Sequence, residues 1–491
     1  MLQSIEKTRF LPTVEMTHSM NPIFYEFIII DGCVKGDKLR GNNKQTKTGK
    51  NMAKIIPFRG ILYNRHKIHN LSEVITPPYD IISKQDQCNF YKQSPYNIIR
   101  LDMGKSTKKD TDKNNRHTRA ANLLNKWISE NILVRDNSPS LYLTSVEFSS
   151  ENKMITRYGL IALVGLEPFN KGIVIPHEKT FSKVTAKRFE LIKACHANFS
   201  PIFGIYSDQN DILGSLKDAA GAKAPDMEFI DSNSLKHRLW RITDTSMHSH
   251  ITDAMKEKKL LIADGHHRYE TALKYKKWIS EIKPGFSADH PANYVMMYVS
   301  SMEDPGLIIL PAHRMLKKVQ ASDLTTFIQK AENYFEITTI PFDEKSRENA
   351  RAQFISALRS NNSKNIIGVF IKNRQEFYLL TLKPQIMKQM FGKEISASLI
   401  NLDVTVLTRL ILMEILGFDQ SMLDNEKLIA YSSSEEKAIH EVVSGRCDIT
   451  FILNPTKINQ VREIAEQGLI MPRKSTYFYP KVITGQVINM L

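Results

Sequence analysis

The segment LLIADGHHRYETA, residues 260–272, concentrates more groups that could do chemistry than any other part of the chain. Its apolar residues Leu260–Ala263 predict a buried strand, Asp264–Gly265 predicts a tight turn, and His267–Trp278 can form a helix. A strand–turn–helix junction directs several backbone N–H groups at one point and adds the positive end of the helix dipole. The segment therefore predicts an anion-binding turn.

Side chains at the same turn would add to this anion site. His266 and His267 supply two imidazoles and Arg268 supplies a guanidinium, and all three can donate hydrogen bonds to phosphate oxygens. We interpret the turn as a phosphate cradle in which His and Arg stand where a P-loop has Gly and Lys. The alternative is a strand–helix turn whose His and Arg are ordinary polar surface.

Two further segments hold carboxylates in polar surroundings. In IPHEKT, residues 175–180, Glu178 follows a predicted strand and could be a general base with His177 as its orienting partner. This segment lacks the second histidine of an HExxH zinc helix, so we do not interpret it as a metalloprotease. In TPPYD, residues 76–80, two prolines fix the backbone that carries Asp80. Such a loop borders a binding site or forms a plain turn, and the sequence leaves both open.

Cationic residues recur in two later segments. The first, LPAHR, places a His–Arg pair at the end of a predicted strand. The second, MPRKSTYFYPK (residues 471–481), holds three cations, two hydroxyls and two tyrosines, and could clamp an anion from outside the cradle. A basic surface strand is the alternative for this segment. The candidate ligands in the two segments are His313, Arg314, Lys474, Ser475 and Lys481.

Strands and helices must position these groups, and hydrophobic periodicity predicts that they alternate along the chain. Besides the elements around the cradle, the predicted strands are 97–103, 140–148, 156–166, 200–206, 238–242, 293–300 and 306–310. The predicted helices are 119–131, 185–197, 246–257, 322–333, 345–358 and 404–416. The alternation indicates an α/β or α+β fold with mixed sheets and helices, but it does not give the strand order.

The length of 491 residues predicts two or three domains. Residues 1–51 differ in composition from the rest and are interpreted as a flexible extension or as a start codon assigned too early. We predict a core domain over residues 52–320, which carries the cradle, and a C-terminal α/β region over residues 321–491, which contributes the MPRKSTYFYPK segment.

Composition narrows the class of protein. No apolar run approaches the roughly 18 residues that cross a bilayer, and the N-terminus lacks the pattern of a secretion signal. The four cysteines are scattered without a CxxC pair, which fits a reducing cytosol. The net charge of +15 is spread along the chain, so it favours anionic ligands without indicating a nucleic-acid surface. We expect a small-molecule substrate, no membrane association and no nucleic-acid partner, and we leave a homo-oligomer open.

Taken together, the motifs resemble one family, the domain-of-unknown-function family 1015. The resemblance runs in order over about residues 52–491, and its motifs are long and specific. The matching words are TPPYDIIS at 76–83, SPYNIIRLD at 94–102, IPHEKT at 175–180, NFSPIFGIYSD at 198–208, IADGHHRYETAL at 262–273, LPAHRML at 310–316 and MPRKSTYFYPK at 471–481. Membership in this family leaves the activity open.

A second, shorter resemblance concerns activity. The word DGHHR, residues 264–268, looks like the phosphate-binding loop of the ParB/sulfiredoxin-like superfamily, which includes free-serine kinases of the SerK and SbnI type. In those kinases this loop holds the nucleotide phosphates and a glutamate elsewhere activates the serine hydroxyl. The resemblance implies a phosphate-binding core of that fold, with ATP or ADP and Mg²⁺ as cofactors. It also implies that Asp264 could hold the metal or orient His266, and that Glu178, with Asp80 as its competitor, is the base.

Three hypotheses follow from these residues and resemblances. The first is a small-molecule kinase that transfers a phosphoryl group to a hydroxyl acceptor, possibly free L-serine. The second is a nucleotide-gated protein of the ParB type that associates with DNA. The third is a phosphohydrolase or metal-dependent hydrolase, for which the candidate ligands are His177, His266, His267 and His313. We rank them in this order, because the adjacent histidines 266 and 267 cannot easily ligate one ion.

Overall fold

The computed structural model describes residues 53–150, 153–361 and 364–491 of this chain. The predicted N-terminal extension, residues 1–51, lies outside them. Over the described residues strands and helices alternate and form mixed sheets, so the predicted fold class is confirmed.

The strands follow the chain from Ile55 to Met490. They are β1 Ile55–Ile56, β2 Ile61–Tyr63, β3 Leu133–Arg135, β4 Leu141–Ser150, β5 Lys153–Gly165, β6 Val174–Ile175, β7 Ala197–Asn198, β8 Ile202–Tyr206, β9 Met227–Ile230, β10 Lys236–Ile242, β11 Leu260–Asp264, β12 Tyr294–Ser301, β13 Ile308–Leu310, β14 His313–Leu316, β15 Phe335–Pro341, β16 Ile366–Ile371, β17 Glu376–Leu382, β18 Ile429–Ser432, β19 Ile449–Ile452, β20 Tyr477–Tyr479 and β21 Asn489–Met490.

The helices lie between these strands. They are α1 Lys84–Gln93, α2 Ile99–Asp102, α3 Arg116–Ser129, α4 Ser182–Cys195, α5 Gly214–Gly221, α6 Thr245–Met255, α7 His266–Ile282, α8 Ala321–Ala331, α9 Arg347–Ser360, α10 Ile386–Phe391, α11 Ala397–Ile400, α12 Asp403–Thr405, α13 Gln420–Leu423, α14 Glu435–Val443 and α15 Ile458–Glu466. A π-helix, Val406–Ile415, continues α12 and covers most of the helix predicted over 404–416. In the described part of the chain, no helix is both long enough and apolar enough to cross a bilayer.

The first sheet has nine strands and positions the DGHHR turn near one edge. Its order is β6–β11–β8–β12–β5–β4–β10–β9, and β1 pairs with β5. Strand β11 runs parallel to the edge strand β6, with Leu260 opposite Val174, and antiparallel to β8. Because β6 and β11 are parallel, the IPHEKT segment and the DGHHR turn leave the sheet at the same end.

A second sheet of six strands follows, in the order β15–β17–β16–β19–β14–β18. The chain enters this sheet at β14, before residue 320. Two-stranded ribbons connect the C-terminal part with earlier elements: β20 pairs with β13, and β21 pairs with β7. The Phe478 ring of β20 also packs on Phe203 of β8, with ring centres 5.9 Å apart, so the C-terminal segment runs beside the first sheet. The division at residue 320 stays a prediction.

Both faces of the first sheet are buried. Along β5, Leu160 and Ala162 alternate with Ile161 and Leu163 between two apolar clusters, as the period of a strand requires. One cluster includes residues of α5, α6 and α7. The other continues through α8 and the π-helix to one face of the second sheet, whose opposite face is covered by α9 and α14.

The prediction of a strand over residues 97–103 is wrong, because this segment contains helix α2. The Asn97 side chain accepts a hydrogen bond from the Ile99 N–H at 2.9 Å and donates to the Glu73 carbonyl at 2.6 Å, which closes a turn before the helix. A short apolar run alone does not distinguish a buried strand from a buried helical turn. The other predicted strands and helices are present, with ends shifted by a few residues.

Candidate functional site

The DGHHR turn joins the end of β11 to the start of α7, as the sequence predicts. Gly265 adopts φ +95°, a left-handed conformation that L side chains rarely adopt. A Cβ at this position would lie 2.8 Å from Nε of Arg268. The glycine therefore permits both the tight turn and the close approach of the guanidinium.

The Arg268 guanidinium is buried and braces this turn. Its Nη1 donates to Oγ of Ser200 and to the Pro201 carbonyl, each at 2.6 Å, and its Nη2 donates to Oδ2 of Asp264 at 2.6 Å. Its buried Nε has no hydrogen-bond partner within the described residues. Most N–H groups of this guanidinium, which the sequence assigned to phosphate, are therefore engaged with the protein itself.

Asp264 is held between two cations. Its Oδ2 pairs with Arg268 and its Oδ1 with the Lys481 ammonium. Burial opposes ionisation of this carboxyl, but the charges of Lys481 and Arg268 outweigh it and hold its pKa well below the usual range. Both oxygens are thus occupied by cations, and a divalent metal would have to displace them. The predicted role of Asp264 as a metal ligand does not fit this arrangement.

His266 and His267 are fixed as neutral hydrogen-bond donors. Nε2 of His266 accepts from the His177 backbone N–H at 3.2 Å, and Nε2 of His267 accepts from the Phe181 backbone N–H at 2.9 Å. Burial lowers the pKa of both imidazoles, that of His266 the more strongly. A neutral imidazole whose Nε2 accepts carries its proton on Nδ1. Each ring therefore keeps one N–H that can donate to a phosphate oxygen.

His177 has a structural position. Its ring bridges the Ile262 carbonyl, 2.7 Å from Nδ1, and the Thr476 hydroxyl, 3.1 Å from Nε2. The residue is 1% exposed, and burial lowers the pKa of its imidazole. It ties the IPHEKT segment to β11 and to the 471–481 segment and does not line the cleft described next.

An open cleft of about 410 Å³ lies in front of the turn. Segments from both sheets and from the C-terminal stretch form its wall. The lining residues are Tyr79, Asp80, Ile81, Glu178, Lys179, Phe181, Ala263, Asp264, Gly265, His266, His267, Arg268, Ala312, Glu426, Ile429, Ala430, Tyr431, Ser432, Ser433, Arg473, Lys474, Thr476, Tyr477 and Lys481. The candidate residues Asp80, Glu178, the DGHHR turn, Lys474 and Lys481 thus come together in one cleft.

Glu178 and Lys474 face this cleft and are joined through the backbone. Oε1 of Glu178 accepts from the Lys474 backbone N–H at 2.9 Å, and Lys474 adopts φ +56°. The hydrogen bond fixes one carboxylate oxygen. Among the described residues, neither of the cleft lysines Lys474 and Lys179 has an ion-pair partner; Lys474 is half-buried and Lys179 is exposed, so both are available to an anionic ligand.

Asp80 lies on a short 3₁₀ turn, Tyr79–Ile81, that projects into the cleft. The Asp80 side chain is accessible to solvent but is surrounded by other protein groups. This partial desolvation, together with the negative charge of Asp264, raises the pKa of the Asp80 carboxyl. The Arg188 guanidinium lies 4.4 Å from the centre of the Tyr79 ring, and its Nη2 pairs with Oδ1 of Asp102 at 2.5 Å. Helix α4 therefore supports the loop that carries Asp80.

Three predicted ligands do not line the cleft. Arg314 is buried and donates to the Ala312 carbonyl and, at 3.1 Å, to the Arg473 carbonyl. It therefore stabilises two segments that line the cleft without lining the cleft itself. Nδ1 of His313 accepts from the Leu453 N–H at 3.1 Å on the far side of β14. The Ser475 hydroxyl donates to the Pro472 carbonyl at 2.5 Å inside its own loop.

The position of His313 outside the cleft weighs against the hypothesis of a metal-dependent hydrolase. In the parts of the chain that the structure describes, no three His, Cys, Asp or Glu side chains form a group that could hold a metal ion. His177 and His266 are neighbours, with ring centres 4.7 Å apart, but both Nε2 atoms are engaged in the hydrogen bonds described above. The donor set does not support this hypothesis.

Other cleft residues were not found by sequence reasoning. Phe181 stacks on His267 and lies 4.4 Å below the Arg473 guanidinium, which forms a layered wall. Residues 429–433 come from β18 and the loop after it, more than 160 residues from the DGHHR turn. Their composition carries no signal of function, because they contribute by position in the second sheet.

Family membership is decided by a match to a family model. The model described as "Protein of unknown function (DUF1015)" covers residues 55–405, well over half of the chain. The chain belongs to this family. The match includes the TPPYD, IPHEKT and DGHHR segments, whereas the 471–481 segment of this DUF1015 protein lies beyond it. No curated protein matches the chain.

Solved structures give only a distant likeness to this DUF1015 chain. A conserved hypothetical protein from Pyrococcus furiosus is 13% identical, with 66% of this chain and 92% of that one covered and a TM-score of 0.29. A free serine kinase in complex with AMP is 13% identical (65% and 86% covered, TM-score 0.30). SbnI with a C-terminal truncation, from Staphylococcus aureus, is 10% identical (67% and 86% covered, TM-score 0.31). Likeness at this level does not establish a common fold and supports no argument about the site.

Proposed function

We propose that the cleft binds ATP or ADP and transfers the terminal phosphoryl group to a hydroxyl of a small acceptor. The observation that carries this proposal is the DGHHR turn, where a helix N-terminus, two neutral imidazole donors and the Lys474 ammonium open into one cleft that also holds Glu178 and Asp80. Phosphoryl transfer requires mainly positioning and charge stabilisation, together with a base near the acceptor.

The phosphates would lie against the turn. The backbone N–H groups of His266 and His267 at the start of α7 have no intrahelical partner, whereas that of Arg268 donates to the Gly265 carbonyl, and the two histidines add their Nδ1–H donors. Lys474 and Lys481 supply positive charge, although Lys481 shares its charge with Asp264. Arg268 contributes indirectly, because its hydrogen bonds to Ser200 and Asp264 fix the conformation of the turn.

Glu178 is the proposed base. Its free carboxylate oxygen would take the proton of the acceptor hydroxyl while the new oxygen–phosphorus bond forms, and the bond to the leaving phosphate breaks with its electrons on the nucleotide product. Asp80 is the competing base, because partial desolvation raises the pKa of its carboxyl. A nucleotide-bound Mg²⁺ would neutralise phosphate charge, but we assign no step to a metal held by Asp264.

Free L-serine is the first acceptor to test, since the DGHHR word resembles the loop of free-serine kinases. The assay measures consumption of ATP, ADP and CTP with Mg²⁺, in the presence and absence of L-serine and a panel of small hydroxyl compounds. We expect acceptor-dependent turnover of ATP or ADP.

The variant Lys474→Met should weaken nucleotide binding by at least tenfold, because it removes a half-buried cation of the cleft that has no ion-pair partner. Lys179→Met, which removes the exposed unpaired lysine of the cleft, is the matched control and should have a smaller effect, because solvent and salt screen an exposed charge. CTP binding without turnover and a DNA affinity that depends steeply on salt would instead favour the nucleotide-gated protein. Absence of binding of all three nucleotides would refute both.

A further inference from the structure

Strand β18 and the residue after it contribute five consecutive residues, 429–433, to the wall of the cleft. Side chains of a strand alternate between its two faces, so consecutive residues can border one cleft only along the edge of the strand. β18 is the last strand of its sheet and pairs with β14 on its other side. The free edge of the second sheet therefore faces the cleft.

The register of β14 and β18 determines which backbone groups of this edge are unpaired. The Lys317 N–H donates to the Leu428 carbonyl opposite it at 2.8 Å, which makes these two residues a hydrogen-bonded pair. Bonded and non-bonded pairs alternate along an antiparallel ladder, so Tyr431, opposite Arg314, belongs to a non-bonded pair. Its N–H and C=O point away from β14.

Tyr431 is the outward residue of this edge whose donor and acceptor are both free. Neither has a hydrogen-bond partner in the part of the chain that the structure describes. The preceding outward residue, Ile429, already donates its N–H to the Asn425 carbonyl at 3.1 Å. An unpaired strand edge normally invites pairing with another chain, but this one borders the proposed nucleotide cleft.

The surroundings of the edge suit a flat, largely apolar ring. Ala312, Ile429 and Ala430 line the same cleft, and so does Ile81, which is 40% exposed and one of the few exposed large apolar side chains in the described residues. Polar groups of the DGHHR turn lie elsewhere along the wall. The cleft therefore offers an apolar part in addition to its anion-binding part.

We propose that the backbone N–H and C=O of Tyr431 bind the edge of an adenine ring, and so select adenine nucleotides in the proposed kinase. This inference depends on the proposed function. Adenine presents an acceptor nitrogen beside its N6 amino donor, whereas guanine presents two acceptors, N7 and O6, on the corresponding edge. A guanine O6 would face the Tyr431 carbonyl, and leaving two buried acceptors opposed costs binding energy.

Proline at position 431 tests the assignment. It removes the N–H without removing a ladder bond, since that N–H is not bonded to β14, and edge strands tolerate proline at such positions. Tyr431→Ala is the matched control, because it removes the ring and keeps the N–H. Dissociation constants are measured for ATP, ADP, ITP, GTP, purine riboside triphosphate and tripolyphosphate in the full-length protein.

We expect the wild type and Tyr431→Ala to bind ATP at least tenfold more tightly than ITP, GTP or purine riboside triphosphate, which lacks the 6-amino group. Tyr431→Pro should lose most of this preference and bind tripolyphosphate as the wild type does, which also shows that its cleft is folded. Should the proline variant not fold, the wild-type comparison of ATP with purine riboside triphosphate decides.

Equal affinities of the wild type for all four triphosphates, or a folded Tyr431→Pro that keeps the preference, would overturn the assignment. If the base assignment is overturned in this way but the protein still transfers a phosphoryl group to an acceptor, the kinase proposal remains intact. Preference for ATP without transfer to any acceptor supports base recognition and refutes the kinase. If neither nucleotides nor tripolyphosphate bind, both proposals fall.

Discussion

At the scale of single residues, the DGHHR turn offers an anion more neutral donors than free charges. His266 and His267 are held neutral, and Arg268 and Lys481 share one carboxylate, Asp264. The sequence identified these residues but predicted that Arg268 binds the ligand. The hydrogen bonds of Arg268 to Ser200 and Pro201 could not be predicted, because they depend on contacts between segments far apart in the sequence. The turn is therefore a preorganised surface in which most charges are already balanced.

Gly265→Ala should lower the free energy of unfolding by about 1–3 kcal/mol and weaken nucleotide binding, because the φ of +95° strains any L residue and the new Cβ meets the Arg268 guanidinium. Urea unfolding and nucleotide titration measure both effects. Gly172→Ala is the matched control, since its φ is +63° and no atom lies within 4 Å of its added Cβ. Equal effects in both variants would contradict a special role of the contact at Gly265.

Glu178→Gln should reduce kcat by roughly 10²-fold or more with nucleotide affinity unchanged, the scale of a lost general base. The amide can still accept the Lys474 N–H bond, so the loop keeps its geometry. Asp80→Asn is compared in the same assay of phosphoryl transfer. A fully active Glu178→Gln with an inactive Asp80→Asn would move the base to Asp80.

At the scale of elements, two arginines, the half-buried Arg188 and the buried Arg314, hold the loops of the cleft in place. Arg188 on α4 supports the Tyr79–Ile81 turn, and Arg314 on β14 supports the loop at Arg473. The sequence indicated most strands and helices because their periodicity is local. It did not indicate α2, where an Asn97 side chain closes a turn, nor that β18 forms a wall of the cleft, since strand order depends on long-range pairing.

Arg188→Met should lower the free energy of unfolding by about 3–5 kcal/mol, because it leaves the Asp102 carboxylate buried without its partner. The double variant Arg188→Met/Asp102→Asn should recover a large part of this loss in urea unfolding. Both variants should also reduce turnover, as the Tyr79 ring loses the cation that packs on it. A double variant no more stable than the single one would show that the buried charge is not the cause.

At the scale of the whole molecule, the protein buries several histidines in the neutral form. Burial lowers the pKa of His177 and His266, and burial with the nearby charges of Arg314 and Arg359 lowers that of His313 to about 3. In the unfolded chain these groups bind protons below about pH 6.5, whereas in the folded chain they do not. Stability should therefore rise with pH through this range and be lost as the pH falls below 6.5.

Each such histidine should contribute about 1.4 kcal/mol per pH unit to the slope of stability below pH 6.5. His313→Gln removes one of them, and its amide oxygen can still accept the Leu453 N–H. Urea unfolding between pH 7.5 and 5 should give a slope smaller by about this amount in His313→Gln than in the wild type. An unaltered slope in His313→Gln would rule out this histidine as a source of acid sensitivity.

The pairing of Lys481 with Asp264 has a consequence for how the protein is made. The first residue of the cleft in chain order is Tyr79 and the last is Lys481, so some 400 residues separate the two ends of one site. A ribosome-bound chain that has not yet released residue 481 presents Asp264 to Arg268 alone, and β21 has not yet paired with β7. The phosphate surface is thus completed only after residue 481 has been synthesised and released from the ribosome, and a nascent chain cannot engage nucleotide in the geometry described here before that point.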